Sequence, residues 1–301
     1  FRTDDKEALL TRIYDKTRKH FTVAKHLLRT RPWDFFMMVE MGVDRIHHSF
    51  WKFMDKEHPK YEAGNRFENA IRDYYAYCDR EIGELRSLFP PDTAVLVVSD
   101  HGAKKLDGGI CFNEWLIKKG YLTLTTYPDK TTPIGRADID WSRTRAWGDG
   151  GYYGRLFMNV KGREPQGTID PQDYDRVRDD LIAEIEGIED PSGRSIGTKA
   201  YRPEDLYREV RNVAPDLTCY FGNLDWRSIG SVGLGSIHTF ENDTGPDDAN
   251  HDWHGIFVLA GGANGRPKGE LRGLRIYDVA PTVLGLFGLE PPAGMLGKGL
   301  C

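Results

Sequence analysis

Three short stretches of this chain carry side chains that could share metal ions. "VEMGVDRIHH", residues 39–48, sets Asp44 four positions before His48. Residues four apart on a helix are neighbours on one face, so helical backbone here would stack a carboxylate over an imidazole. "VVSDHG", residues 97–102, runs an apolar stretch straight into Asp100 and His101. Neighbours in extended chain point to opposite sides, so both can reach one site only if the strand breaks, and Gly102 permits that. "GPDDANHDWHGIF", residues 245–257, offers His251 and His254 just ahead of another apolar run.

Mixed carboxylate and imidazole ligation suits zinc, manganese or ferrous iron, whereas magnesium and calcium favour all-oxygen shells. Five ligands exceed one tetrahedral zinc. They match two divalent ions about 4 Å apart, the arrangement that clamps the attacking and leaving oxygens of a phosphoryl centre. Plainer readings exist for each stretch alone. Asp44 and His48 would make a surface pair on a helix, and Asp100 a helix cap beside a solvated imidazole. His47 is read as structural. His251 is preferred to His254, the runner-up ligand, which then packs or supports. Asp243, Asp247 and Asp248 read as a solvated loop or as carboxylates that orient His251. His20, His26, His58 and His238 lack a partner pattern and read as surface residues.

The elements that must position these groups can be traced from periodicity. Residues 4–30 have mostly helical apolar spacing. Pro32 ends that helix, and Phe35 to Val39 form a short apolar run of the kind found in a strand buried on both faces. A second long amphipathic helix spans residues 65–89, and residues 95–98 form another buried strand. This alternation predicts an α/β fold, a mostly parallel sheet flanked by helices. "NEWLIKKG" reads as a helix ending at Gly120. Residues 121–245 are rich in Gly, Asp and Pro, with strand-like "YGRLFMNV" and "DLTCYF", and read as a smaller α+β insert. The pattern resumes with a strand in "HGIFVLAGG" and a helix in "IYDVAPTVLGLFGL". The expected division is a core of residues 1–120 and 246–301 around the insert.

The net charge of −5 supplies no basic excess for a nucleic-acid partner. No apolar run approaches the roughly 20 residues of a membrane-spanning helix. The cysteines, Cys78, Cys111, Cys219 and Cys301, are widely separated and favour a reducing, cytoplasmic setting. The sequence opens "FRTDDKEALL", without Met or a signal peptide, and is expected to be the later part of something longer.

The ordered set "DRIHH" with "FW" close behind, then "SDHG", then a late His before "GIF", resembles the alkaline phosphatase superfamily. The nearest branch is the type I phosphodiesterase/nucleotide pyrophosphatase family. The resemblance implies an alkaline-phosphatase-like core and hydrolysis of a small phosphoester, nucleotides among the candidates. It further implies two divalent ions, zinc foremost, with Asp44, His48 and His251 on the first and Asp100 and His101 on the second. The family's Thr or Ser nucleophile and a further Asp come from an earlier strand. Thr3, Thr11, Thr17, Thr22 and Thr30 all lack the strand–turn–helix setting such a nucleophile needs, so it is expected outside this stretch. "AWGDGGYYGRLFMNVKGRE", residues 146–164, reads as a turn and edge strand, or as a substrate loop in which Arg155, Lys161 or Arg163 meets a phosphate. The same scaffold would also serve a phosphomutase or sulfatase, and without a nucleophile it would be a non-catalytic metal-binding or interaction domain.

Overall fold

A computed structural model describes residues 2–261 and 269–300. Cys301 lies outside them. The chain divides into two compact units, the first comprising residues 1–20, 38–77 and 103–252, the second 21–37, 78–102 and 253–301. The helices are α1 (Lys6–Thr30), α2 (Gly42–Met54), α3 (Ala70–Arg86), α4 (Phe112–Lys118), α5 (Tyr174–Glu186), the single turn α6 (Pro203–Leu206) and α7 (Val279–Leu286). Among the described residues, no helix is long and apolar enough to cross a membrane.

The first unit holds most of the strands. β3 (Gly108–Cys111) lies between β9 (Trp226–Ile229), its parallel neighbour, and β11 (His238–Thr239), which is antiparallel. β2 (Gly102–Lys105), most of which belongs to this unit, pairs with β12 (Ala249–Asp252). The short strands β4 (Thr132–Pro133) and β10 (Ser231–Val232) pair antiparallel. The largest sheet has four antiparallel strands in the order β5 (Ala146–Asp149), β6 (Gly154–Met158), β8 (Leu217–Tyr220), β7 (Lys199–Tyr201). Its buried side follows the two-residue period of a pleated strand: Ala146, Leu156, Met158, Leu217, Cys219 and Ala200 face one core with Trp115 and Leu116 of α4 and Val177, Leu181 and Ile185 of α5.

In the second unit β1 (Val95–Val98) pairs antiparallel with β13 (Phe257–Ala260) in the register Val95↔Ala260 to Val98↔Phe257. A mixed α/β architecture is therefore present, but as several small sheets rather than the one mostly parallel sheet that the sequence pattern suggested. β3–β9 is a parallel ladder, while β1–β13 and the four-stranded sheet are antiparallel. The expected strand at Phe35–Val39 also differs. These residues form no strand, and Phe35, Met37 and Val39 are exposed. An apolar run alone does not make a strand. The backbone N–H and C=O groups need a ladder partner, and none pairs with this segment among the described residues.

The expected helices at 4–30, 65–89 and "NEWLIKKG" correspond to α1, α3 and α4, with α3 shorter at both ends. Cys78, Cys111 and Cys219 are buried. Burial pushes the Cys111 thiol up to about 12 and raises that of Cys219 as well, so neither is a ready thiolate.

Candidate metal centre

Helix α2 supplies the first two groups. Asp44 lies in its first turn and His48 one turn later, so the i, i+4 spacing is realised. The helix starts at Gly42, where an added Cβ would run into the Tyr74 hydroxyl, so only glycine lets it begin so close to α3. Ile46 and Phe50, one turn apart on a single face, are fully buried, which fixes how α2 is turned.

Strand β12 supplies the third group. Asp248 N–H donates to the His48 carbonyl at 2.8 Å, which ties the strand's approach to the helix. Asn250, fully buried, donates to the carbonyls of Leu224 at 2.7 Å and Tyr152 at 3.2 Å, and its side-chain oxygen accepts from His251 N–H at 2.8 Å. These bonds bring His251 to the helix.

The result is a compact triangle. His48 Nε2 lies 3.2 Å from Asp44 Oδ1 and 3.3 Å from His251 Nε2, and His251 Nε2 lies 3.7 Å from Asp44 Oδ1. Ligands about 2.0–2.1 Å from a tetrahedral zinc stand about 3.3 Å from one another. The three donor atoms therefore already have the spacing that a single ion requires.

The other ring nitrogen of His48 is committed. Nδ1 lies 2.9 Å from both Asp247 Oδ1 and the Ala249 carbonyl, so it carries a proton and Nε2 is the nitrogen presented to the triangle. Asp247 is fully buried and is held in turn by Arg2 at 3.1 Å and Arg227 at 3.2 Å. Tyr152 lies against both imidazoles, with ring centroids 4.9 Å from His48 and 4.2 Å from His251.

The electrostatics favour positive charge in this corner. Burial works against a charged His48, but the hydrogen bonds to Asp247 and Asp44 outweigh it and push the imidazole up to about 9. Burial likewise works against a charged Asp44, yet the two histidines hold its carboxyl well below the usual carboxylate range. A divalent cation supplies that charge without a proton.

The remaining candidates have contacts of their own. In the second unit, Asp100 and His101 sit where β1 ends; Asp100 is 84% exposed, His101 Nε2 lies 3.7 Å from its carboxylate, and His101 Nδ1 donates to the Gly102 carbonyl at 2.8 Å. His254 is exposed. Lys161 pairs with Asp170 at 2.8 Å, and Arg163 makes a two-pronged contact with Asp216 at 2.7 Å. Arg155 is held by Asp149 at 2.6 Å. His58, expected at the surface, is buried, with Nε2 3.1 Å from the Asp248 carbonyl.

Sequence reasoning had singled out Asp247 only as a partner for His251, whereas its carboxylate goes to His48. It missed Asn250, Tyr152, Arg2 and Arg227 as supports. For Asn250 the one signal was the density of polar residues just before His251, and the other three had none.

A helix–strand corner that stacks Asp, His and His around one point defines a candidate metal-centre protein of the mixed α/β class. The chain matches the type I phosphodiesterase/nucleotide pyrophosphatase family over residues 2–253, well over half its length, and belongs to that family. The family's name places it among phosphoester hydrolases. Comparison with curated proteins finds no match.

Proposed function

We propose that this chain is a metal-dependent phosphoester hydrolase in which Asp44, His48 and His251 hold one divalent ion, with zinc the best match to two imidazoles and a carboxylate. Asp100 and His101, the acid–imidazole pair where β1 ends, are assigned to a second ion on the family resemblance. When bound, such ions act as Lewis acids on a phosphoryl oxygen and lower the pKa of an attacking hydroxyl. The chain's own residues do the rest. His48 presents Nε2 because Asp247 and the Ala249 carbonyl occupy Nδ1, and Asn250 holds His251 in reach. The substrate class is a small phosphoester such as a nucleotide.

The observation that carries this reading is the 3.2–3.7 Å triangle of Asp44, His48 and His251. The test is hydrolysis of bis-p-nitrophenyl phosphate by zinc-loaded and chelator-treated full-length protein, so that the nucleophile expected outside this stretch is supplied. Turnover should require zinc and disappear in Asp44→Ala. Stoichiometric zinc binding without turnover would favour the non-catalytic metal-binding reading, and failure to bind zinc would remove both.

A further inference from the structure

The four-stranded sheet of the first unit has a second face that the candidate metal centre does not use. One face of an antiparallel sheet packs on the core, and the other normally turns polar residues to water. Here the outer face is largely aromatic. Trp147 and Phe157 are cross-strand partners, stacked at 5.6 Å. Tyr153 and Tyr201 each lie 5.7 Å from Tyr220.

Residues 203–215 run over part of this face as a strap, and a cavity of about 290 Å³ separates the two. Tyr153, Tyr220, Arg155 and Thr218 line it from the sheet, and Tyr207 and Val210 from the strap. Such a volume is at the small end of the range for small-molecule sites, about 300–1,000 Å³. The half-exposed Tyr207 and Tyr153 rings give it walls that a flat ring can stack on.

The polar groups around these walls are mainly donors. Arg155 lies on the interior strand β6, between Asp149 of β5 and Thr218 of β8, with one guanidinium nitrogen fixed by Asp149 and the Gly150 carbonyl. Its side chain lines the cavity and remains partly exposed, with further donors on its fork. The phenols add further donors. Burial and the neighbouring Tyr207, Tyr153 and Tyr201 hydroxyls raise the Tyr220 phenol, which keeps it protonated. The carboxylate at the cavity, Glu209, is engaged by Arg211 at 2.5 Å.

We propose that this cavity binds a planar aromatic ring bearing a phosphate or carboxylate group, the ring stacked between the Tyr207 strap and the Tyr153–Tyr220 sheet face and the anion met by Arg155. The site lies apart from Asp44, His48 and His251 in its lining residues and does not depend on a bound metal.

The experiment titrates adenosine monophosphate into chelator-treated protein by isothermal calorimetry, with adenosine and ribose 5-phosphate as probes that carry the ring or the anion alone. Adenosine monophosphate is expected to bind without metal, and each partial probe at least tenfold more weakly. Tyr207→Ala, a change on the exposed strap, should weaken binding roughly tenfold through lost stacking, and Arg155→Ala by a similar factor through the lost charge-assisted contact. Circular dichroism of both variants checks that they fold. No binding in chelated protein, or unchanged affinity in the folded double variant Tyr207→Ala/Arg155→Ala, would overturn the proposal. Because the readout needs no metal, its failure is separate from any failure of the hydrolase reading.

Discussion

His48 and Asp100 began as equivalent candidates, each half of an acid–imidazole pair, and the fold treats them differently. His48 is 2% exposed and fixed on several sides, by Asp247, by the Ala249 carbonyl and by the Tyr152 ring. Asp100 is 84% exposed and follows a strand end. Supporting residues, more than ligand identity, decide whether donors stand ready for an ion or must be gathered by it. The corner of α2 and β12 is preorganised. At the end of β1 the His101 ring is oriented by its bond to the Gly102 carbonyl, while the Asp100 carboxylate is open to solvent.

The largest expected effect that sharpens this contrast comes from His48→Ala. It removes a ligand and leaves the buried Asp247 without its imidazole. Zinc affinity, followed by calorimetry, should fall by more than about a hundredfold, and the melting temperature should drop because the buried Asp247 carboxylate loses one of its hydrogen-bond partners. Loss of affinity no greater than tenfold would remove His48 from the ligand set.

Asp247→Asn keeps every ligand and changes only the group behind one of them. A weakening of zinc binding by roughly 10–100-fold is expected, the usual cost of losing the carboxylate behind a ligating histidine. Unchanged affinity would mean that the Ala249 carbonyl orients the ring alone.

Asp248 tests what the preorganised corner costs. Its carboxylate is buried, with Oδ2 unpartnered and Lys52 no closer than 3.9 Å. Burial pushes it up from 3.8 to about 6 despite the nearby Lys52 and Lys6. With the folded value above the unfolded one, its contribution to stability is fully present below about pH 3.8 and is lost as pH rises through about 6. Asp248→Asn should therefore be more stable than the parent at pH 7.5, by something on the order of 2 kcal/mol, with the gap closing by pH 4. Denaturant melts at the two pH values check this, and a gap that widens on acidification would contradict it.

The smallest effect is expected on the exposed side of the comparison. Asp100→Asn should leave the tightest zinc-binding step within about threefold of the parent, a change under 1 kcal/mol, because the first-ion triangle does not include it. A large loss of that step would show that the ranking of the two corners is wrong.

Much of this was legible in the sequence. The four-residue spacing of Asp44 and His48 placed both on one helix face, while the preference for His251 over His254 rested on the family resemblance. Helices α1 and α3 announced themselves by apolar period. The sheet was not legible, because pairing direction depends on partners distant in sequence. Phe35 to Val39 has a strand's composition but no ladder partner among the described residues. Asn250 and Tyr152 were also hidden. An asparagine that holds a strand by its amide, and a tyrosine that lies on two imidazoles, look in one dimension like any loop residues. Asp247 was seen, but nothing local could show that its carboxylate reaches back 199 positions to His48.

The most direct test of the central claim is an anomalous-scattering map at the zinc edge from zinc-loaded crystals. The expected result is a peak within coordination distance of Asp44 Oδ1, His48 Nε2 and His251 Nε2 together. A map with bound zinc elsewhere and no peak among those three atoms would contradict it.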